Sequence, residues 1–243
     1  MKTSTILLAV ALVVALGTLT AYNFSLKASY ETGDYKKRFN NFTFLPANGI
    51  ESLNVKSGER IRVMVETGSP EGLWIRKASK NNVDVNISGS KVSLSWHYDK
   101  SEDYERYMLN DVVLVTNHLT SLNVSVSPTV TFKDLIKPGG HFLKYGKVIL
   151  ANLSGKQLAL NIGGYSSVDM LNVKFDSLNA VLASDSVSSE LMIDHACVLE
   201  DAHFTSSGPS RLDLGYSKIG KTKFNMSENS SITLTGSYIK HFK

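Results

Sequence analysis

Apolar and polar positions alternate along most of this chain, and over its last third the alternation recurs at a nearly constant interval. Four segments share the order Ser, any, apolar, any, apolar: Ser166 to Met170, Ser189 to Ile193, Ser210 to Leu214 and Ser230 to Leu234. Their serines lie 23, 21 and 20 residues apart. An apolar-any-apolar triplet precedes each, at Leu160 to Ile162, Ala180 to Leu182, Ala202 to Phe204 and Phe224 to Met226, stepping by 20, 22 and 22 residues. Period-two alternation buries one face of a strand. A strand pair recurring at this interval cannot bury that face alone, so the pattern predicts successive coils of a parallel β-solenoid, stacked ~4.8 Å apart. The connectors Gly163-Gly164-Tyr165, Ser184 to Ser188, Thr205 to Pro209 and Ser227 to Asn229 hold residues that tolerate tight corners. An antiparallel sandwich with evenly spaced short strands is the competing arrangement.

Upstream, the strands are longer and differently spaced: Ile50 to Val55, Arg60 to Glu66, Leu73 to Arg76, Val83 to Ile87, Lys91 to Trp96, Asp111 to Thr116 and Leu122 to Val126. Arg60 to Glu66 alternates cleanly, which suits one wet and one buried face. Asp111-Val112-Val113-Leu114-Val115 is apolar after its first residue and is expected to be covered on both sides, whereas the charged stretch Tyr98 to Tyr107 reads as a surface loop. Residues 42–131 are thus expected to form an N-terminal β-layer that caps repeat coils over 147–243, although a separate small sandwich would fit the same pattern. The whole is an all-β head, 42–243, with parallel β-helix character.

The N-terminus follows another rule. After Lys2 the chain carries no charge from Thr3 to Leu26, with an apolar heart from Ile6 to Leu16. A basic start, a short apolar stretch and small residues before a cut make a signal peptide, and Ala15-Leu16-Gly17 supplies such a site; Ala21 is a poorer one. Left uncut, Ile6 to Leu26 is long enough to cross ~30 Å of hydrocarbon, with Tyr22 near an interface. Either way, residues 1–26 direct export or anchor the chain in a membrane. Residues 27–41, polar and charged, read as a disordered stalk.

Composition narrows the picture. Of 243 residues, 42% are hydrophobic and 20% charged, a balance that belongs to folded chains. The net charge of +4 is modest, and its dense spots, Lys36-Lys37-Arg38 and Arg76-Lys77 with Lys80, lack the interleaved aromatics of a single-strand nucleic-acid groove. No nucleic-acid partner is expected. The single cysteine, Cys197, forbids an internal disulfide and lies too far from the export segment to carry a lipid.

Serine-rich corners followed by alternating apolar pairs resemble the GIN-type domain of bacterial envelope proteins, the "putative autotransporter adhesin head" family. Ser207-Gly208-Pro209-Ser210-Arg211-Leu212-Asp213-Leu214 is the nearest local match to its Ser-Gly-small-Ser-x-apolar-x-apolar repeat. Gly164 to Val168 keeps the glycine without the preceding serine, and the other coils depart further. The resemblance covers about Phe39 to Lys243. It implies an envelope-exposed all-β domain with β-helical character and no catalytic residues.

Candidate chemistry is sparse. Asp194-His195-Ala196-Cys197, with Glu200, Asp201 and His203, places N and S ligands two apart on a strand, a set zinc would accept, but no second Cys or His pair supports it. The bland reading turns Cys197 inward and leaves the acids and histidines in water. No G-x-S-x-G and no nucleotide-binding glycine loop occurs. Glu200 with Asp201, or Asp169 with Asp213, could form the carboxylate pair of a polysaccharide-cleaving β-helix. Triplets such as Asn86-Ile87-Ser88 and Asn123-Val124-Ser125 match the N-glycosylation pattern as chance products of an Asn- and Ser-rich chain. No catalytic residue, metal site or cofactor is therefore expected. The leading expectation is a non-catalytic protein of the cell envelope whose rigid head meets an envelope protein or a glycan. The alternatives are a polysaccharide-modifying enzyme and an accessory domain of an envelope-sensing complex. At the C-terminus, the last coil would expose its edge unless Tyr238 to Lys243 fold over it.

Overall fold

The structure is a computed structural model that describes residues 3–33, 38–57, 61–96, 111–126, 146–183, 188–194, 196–215 and 217–234. Two compact units divide at Met1–Phe42 and Thr43–Lys243. The loop Tyr98 to Tyr107, most of the connector Ser184 to Ser188, His195 and the tail Tyr238 to Lys243 lie outside the described residues.

The first unit is dominated by one helix, α1, Thr3–Thr32. Within it, Ile6–Ala28 is long and apolar enough to cross a membrane, and none of that stretch is buried in the protein. Two of its hydroxyls bond within the helix: Thr18 Oγ1 donates to the carbonyls of Val14 (3.0 Å) and Ala15 (2.9 Å), and Thr20 Oγ1 to Leu16 (2.7 Å). Such back-bonding makes a hydroxyl tolerable where no water is available. The helix continues beyond Leu26 through an exposed Lys27 to Glu31 pair spaced i, i+4, so the start of the expected stalk is ordered rather than disordered.

The second unit is built of strands, with one 3-10 turn at Lys77–Ser79. In chain order they are β1 (Phe42–Pro46), β2 (Ser52–Ser57), β3 (Arg62–Glu66), β4 (Gly72–Arg76), β5 (Val83–Ser88), β6 (Lys91–Trp96), β7 (Val112–Val115) and β8 (Ser121–Val126). There follow β9 (Lys147–Ala151), β10 (Ser154–Gly163), β11 (Ser167–Leu171), β12 (Lys174–Ala183), β13 (Ser189–Ile193), β14 (Val198–Ser206), β15 (Ser210–Asp213), β16 (Lys218–Asn225) and β17 (Ser230–Thr233). They form two open sheets. The nine-stranded sheet runs β1-β4-β7-β3-β9-β11-β13-β15-β17 and the eight-stranded sheet β16-β14-β12-β10-β8-β2-β6-β5.

From β8 onward the chain alternates between the sheets, and each strand pairs in parallel with the next strand of its own sheet. The serine column keeps its expected register, with Ser189 opposite Ser210 and Ser210 opposite Ser230. The triplet column is displaced at two places: Ala180 faces Phe204 instead of Ala202, and Phe204 faces Phe224 instead of Met226, each two residues from the alignment the pattern suggests. A slip of two leaves the buried face unchanged, so hydrophobic periodicity alone does not register it. The N-terminal strands are not laid down in chain order: β2 lies between β6 and β8, β3 between β7 and β9, while β4 and β5 pair antiparallel with β7 and β6. Two open, mixed sheets, not a closed parallel β-helix, are what the pairing defines.

Inward residues of both sheets make one continuous core. In the nine-stranded sheet Val63, Val148, Val168, Leu191 and Leu212 stand in one row and are fully buried. The eight-stranded sheet contributes Leu53, Val55, Leu122, Val124, Leu160, Ile162, Ala180 and Leu182, each at most 2% exposed. Burying such an aliphatic side chain stabilises by roughly 1.5 to 3 kcal/mol, so this interior is the main source of stability. As expected, Val112 to Val115 are buried on both faces.

The expected connectors at Gly163 to Tyr165, Thr205 to Pro209 and Ser227 to Asn229 form corners, and Asn152 and Asn172 add others that the sequence did not mark. At Gly163-Gly164-Tyr165 it is Tyr165 that takes positive φ (58°), whereas a Cβ on Gly163 would sit 3.3 Å from the Val124 carbonyl oxygen, a tight contact. Asn152 and Asn172 occupy the left-handed region (57° and 52°) at successive corners, and the Asn172 amide donates to Asn152 Oδ1 at 2.7 Å. Asn tolerates this conformation because its short polar side chain bonds locally. Serines serve another corner: the hydroxyls of Ser206, Ser227 and Ser230 donate to the Gly208 carbonyl at 2.8, 2.9 and 3.0 Å.

A carboxylate clasps the N-terminal connections. Glu71 accepts the backbone N–H groups of Gly49 (2.9 Å) and Asn117 (3.0 Å) and the Asn117 amide (2.8 Å). The Gly49 hydrogen bond does most to hold its pKa below the ordinary value, against the opposing effect of burial. A carboxyl lowered on folding contributes stability above its unfolded pKa and loses it as pH falls through the folded value. The urea midpoint of Glu71→Gln is therefore expected to lie below wild type at neutral pH, with the gap closing on acidification below about 4.5. A gap independent of pH would contradict the clasp.

Candidate binding face

Alternation leaves the outer face of the eight-stranded sheet pointing away from the core. Since Leu53 and Val55, Leu122 and Val124, and Leu160 and Ile162 are buried, Asn54, Asn123 and Asn161 point outward. Strand register sets these three asparagines side by side, and the Asn123 amide donates to Asn54 Oδ1 at 3.4 Å. On the next strands the same row continues as Ser93 and Asn86. The flanking row holds Ser52, Ser121, Ala159 and Asn179. At ~4.8 Å between strands, the row from Asn86 to Asn161 spans roughly 19 Å.

The chemistry of the row from Asn86 to Asn161 is uncharged. Amides both donate and accept, hydroxyls do the same, and neither titrates near neutral pH. Short side chains on a sheet backed by a dry core lose little entropy when they engage a partner. The surface is thus suited to a ligand with many hydroxyls and amides.

The other candidate groups are dispersed. Cys197 is fully buried, its thiol 3.2 Å from the Met170 carbonyl, and burial pushes its pKa up. It fills the inward corner position that Leu153 and Val173 occupy on preceding turns, and the ladder bonds Lys174 N to Leu153 O (2.8 Å), Val198 N to Val173 O (2.9 Å) and Lys218 N to Cys197 O (2.8 Å) fix that equivalence. His203 is exposed on β14, away from Cys197, and His195 lies outside the described residues. Among the described residues no three His, Cys, Asp or Glu side chains converge as a metal site.

Of the carboxylate pairs, Asp169 and Asp213 do not converge. Asp169 and Asp213 stand on either side of Met192 in register, two strands and roughly 10 Å apart. Asp169 pairs with Lys147, and Asp213 lies 3.7 Å from Arg211. Glu200 and Asp201 correct a simple expectation, for neighbouring strand residues should face opposite ways. Both are turned from the core, between buried Leu199 and Ala202. The strand bends there, and two consecutive residues face outward.

Sequence reasoning anticipated an Asn- and Ser-rich surface but not its row. That row depends on β2, β8 and β10 being neighbours, which follows from crossovers with no local signal.

No family model matches the chain, and no curated protein does. Among solved structures, a "putative adhesin" from Bacteroides fragilis is 12% identical with a TM-score of 0.41, covering 79% of this chain and 95% of that one. A "putative lipid binding protein" from Parabacteroides distasonis is 12% identical with a TM-score of 0.36, covering 80% and 96%. A "putative adhesin" from Parabacteroides merdae is 10% identical with a TM-score of 0.37, covering 80% and 95%.

Proposed function

We propose that this chain is a non-catalytic protein of the cell envelope, anchored by α1, whose β head binds a glycan on the outer face of the eight-stranded sheet. In this reading the strands from β9 to β17 wind as the coils of a β-helix, and the earlier strands, within 42–131, form a layer that completes the core. The same alternation underlies the resemblance to the GIN-type adhesin heads. The apolar span Ile6–Ala28 supports an envelope location.

The observation that carries the binding assignment is the row of Asn54, Asn123 and Asn161, in register on three adjacent strands and facing away from a sealed core. Hydroxyl-rich sugars offer the matching donors and acceptors, and amide side chains meet them without a charge to desolvate. The uncharged centre of the row favours a neutral or weakly charged glycan. An enzyme would need two carboxylates facing each other across a cleft, whereas Asp169 and Asp213 are two strands apart, each beside a cation, and Glu200 and Asp201 are consecutive on one strand.

A glycan array probed with the full chain in detergent tests the reading. Wild type is expected to retain particular glycans, and the triple variant Asn54→Ala, Asn123→Ala, Asn161→Ala to lose at least tenfold in affinity. Its melting temperature should barely move, because outward substitutions on a sheet usually stay within about 0.5 kcal/mol each. Undiminished binding by the triple variant would place the site elsewhere.

A further inference from the structure

The chain holds a single Asn-Gly dipeptide, Asn48-Gly49, in the connection from β1 to β2. In such a dipeptide the glycine nitrogen can attack the preceding side-chain amide, because glycine has no Cβ to obstruct the approach. A bond forms between Gly49 N and Asn48 Cγ, the Cγ–Nδ2 bond breaks, and ammonia leaves with the proton from Gly49. Water then opens the cyclic imide at either carbonyl, which gives aspartate or isoaspartate. Nothing is oxidised or reduced. Access to both groups is open here: Asn48 is exposed, and a Cβ at Gly49 would meet nothing within 4 Å. Gly49 takes a left-handed φ of 63°, which glycine adopts freely. The flanks, in contrast, are fixed. Ala47 is 7% exposed, Ile50 is fully buried, and the Ile50 carbonyl accepts from Thr116 Oγ1 at 2.8 Å.

The nucleophile itself is held by one hydrogen bond, from Gly49 N to Glu71 Oε2 at 2.9 Å. That bond opposes the reaction in two ways. The nitrogen must lose its proton before it attacks, and a carboxylate accepting that proton in a hydrogen bond disfavours, through its own charge, the anion that would be left. A carboxylate is also far too weak a base to take the proton away. The nitrogen must then turn toward Asn48 Cγ, which gives up a charge-assisted bond. Asn117 keeps the carboxylate in place through its backbone N–H at 3.0 Å and its side-chain amide at 2.8 Å. We propose that Asn48-Gly49 is a self-modification site of this protein and that the Glu71 carboxylate keeps it closed. Conversion to isoaspartate would lengthen the backbone of the connection and place a new negative charge one residue from the bond that Glu71 makes. No residue of the asparagine row takes part, so the proposal does not depend on the glycan reading.

The test incubates the full chain in detergent at neutral pH and follows the peptide carrying Asn48 by mass spectrometry, with isoaspartate read by enzymatic methylation. Wild type is expected to convert Asn48 at least tenfold more slowly than a synthetic peptide spanning Leu45 to Ser52. Glu71→Ala is expected to convert it at least tenfold faster than wild type. Asn229-Ser230, an exposed asparagine that also precedes a small residue, reports opening elsewhere in the head and should keep its wild-type rate in that variant. Thr116→Val removes the hydroxyl from the Ile50 carbonyl but leaves Glu71 on Gly49, and it should leave Asn48 at its wild-type rate. The proposal is overturned if wild type converts as fast as the free peptide, or if Glu71→Ala shows the wild-type rate. It is overturned equally if Glu71→Ala accelerates Asn229 as much as Asn48, since the head would then be opening as a whole. Acceleration of Asn48 by Thr116→Val to the level of Glu71→Ala would also overturn it, because loosening the connection would then be enough.

Discussion

Replacing Leu212 by aspartate is expected to cost at least about 4 kcal/mol, a large part of the ~5 to 15 kcal/mol that holds a domain together. Leu212 is fully buried, with Leu191 opposite on one side and Ile232 on the other. Truncating such a leucine to alanine alone costs roughly 2 to 5 kcal/mol, and a carboxyl without a partner in the same place adds its desolvation. Ile232 belongs to the same row but is 38% exposed on the last strand. Ile232→Asp should cost markedly less, with a urea midpoint well above that of Leu212→Asp. Equal losses would mean that the row does not run through the core as the pairing indicates.

The second large effect concerns α1. The full chain is expected to sediment with membranes and resist carbonate extraction, with an intact mass that begins near its first residue. The span Ile6–Ala28 counts 23 residues, roughly 34 Å of helix against ~30 Å of hydrocarbon. Each charge at the centre of a span costs ~2.5 to 3.5 kcal/mol on insertion scales. Val14→Arg with Gly17→Arg should therefore abolish stable integration. A wild-type product beginning near Thr18 or Tyr22 would instead identify a cleaved signal, leaving an exported head without an anchor.

Much of the head was legible because burial and alternation are local. Every upstream strand read from the sequence is present within a few residues of its expected ends, and Ser189, Ser210 and Ser230 revealed their register through a repeated residue type. Three things were hidden for physical reasons. The two-residue slips that set Ala180 against Phe204 and Phe204 against Phe224 preserve the buried face, so hydrophobic pattern is blind to them. Three left-handed corners fell to Asn152, Asn172 and Tyr165, residues that adopt positive φ less readily than glycine and carry a weaker signal. The insertion of β2 between β6 and β8 is a long-range choice made by the whole core. The candidate face suffers most from this last point, since Asn54 meets Asn123 only because distant segments become neighbours.

The glycan-binding face itself is tested most directly at its side-chain amides. In a proton-nitrogen correlation spectrum of the full chain in detergent, titrated with a glycan retained on the array, the amide groups of Asn54, Asn123 and Asn161 should shift together and saturate at one affinity. Those of Asn152 and Asn172, at a corner away from that row, should stay in place. Shifts at Asn152 and Asn172 with none at Asn54, Asn123 and Asn161 would contradict the assignment of the outer sheet face as the binding surface.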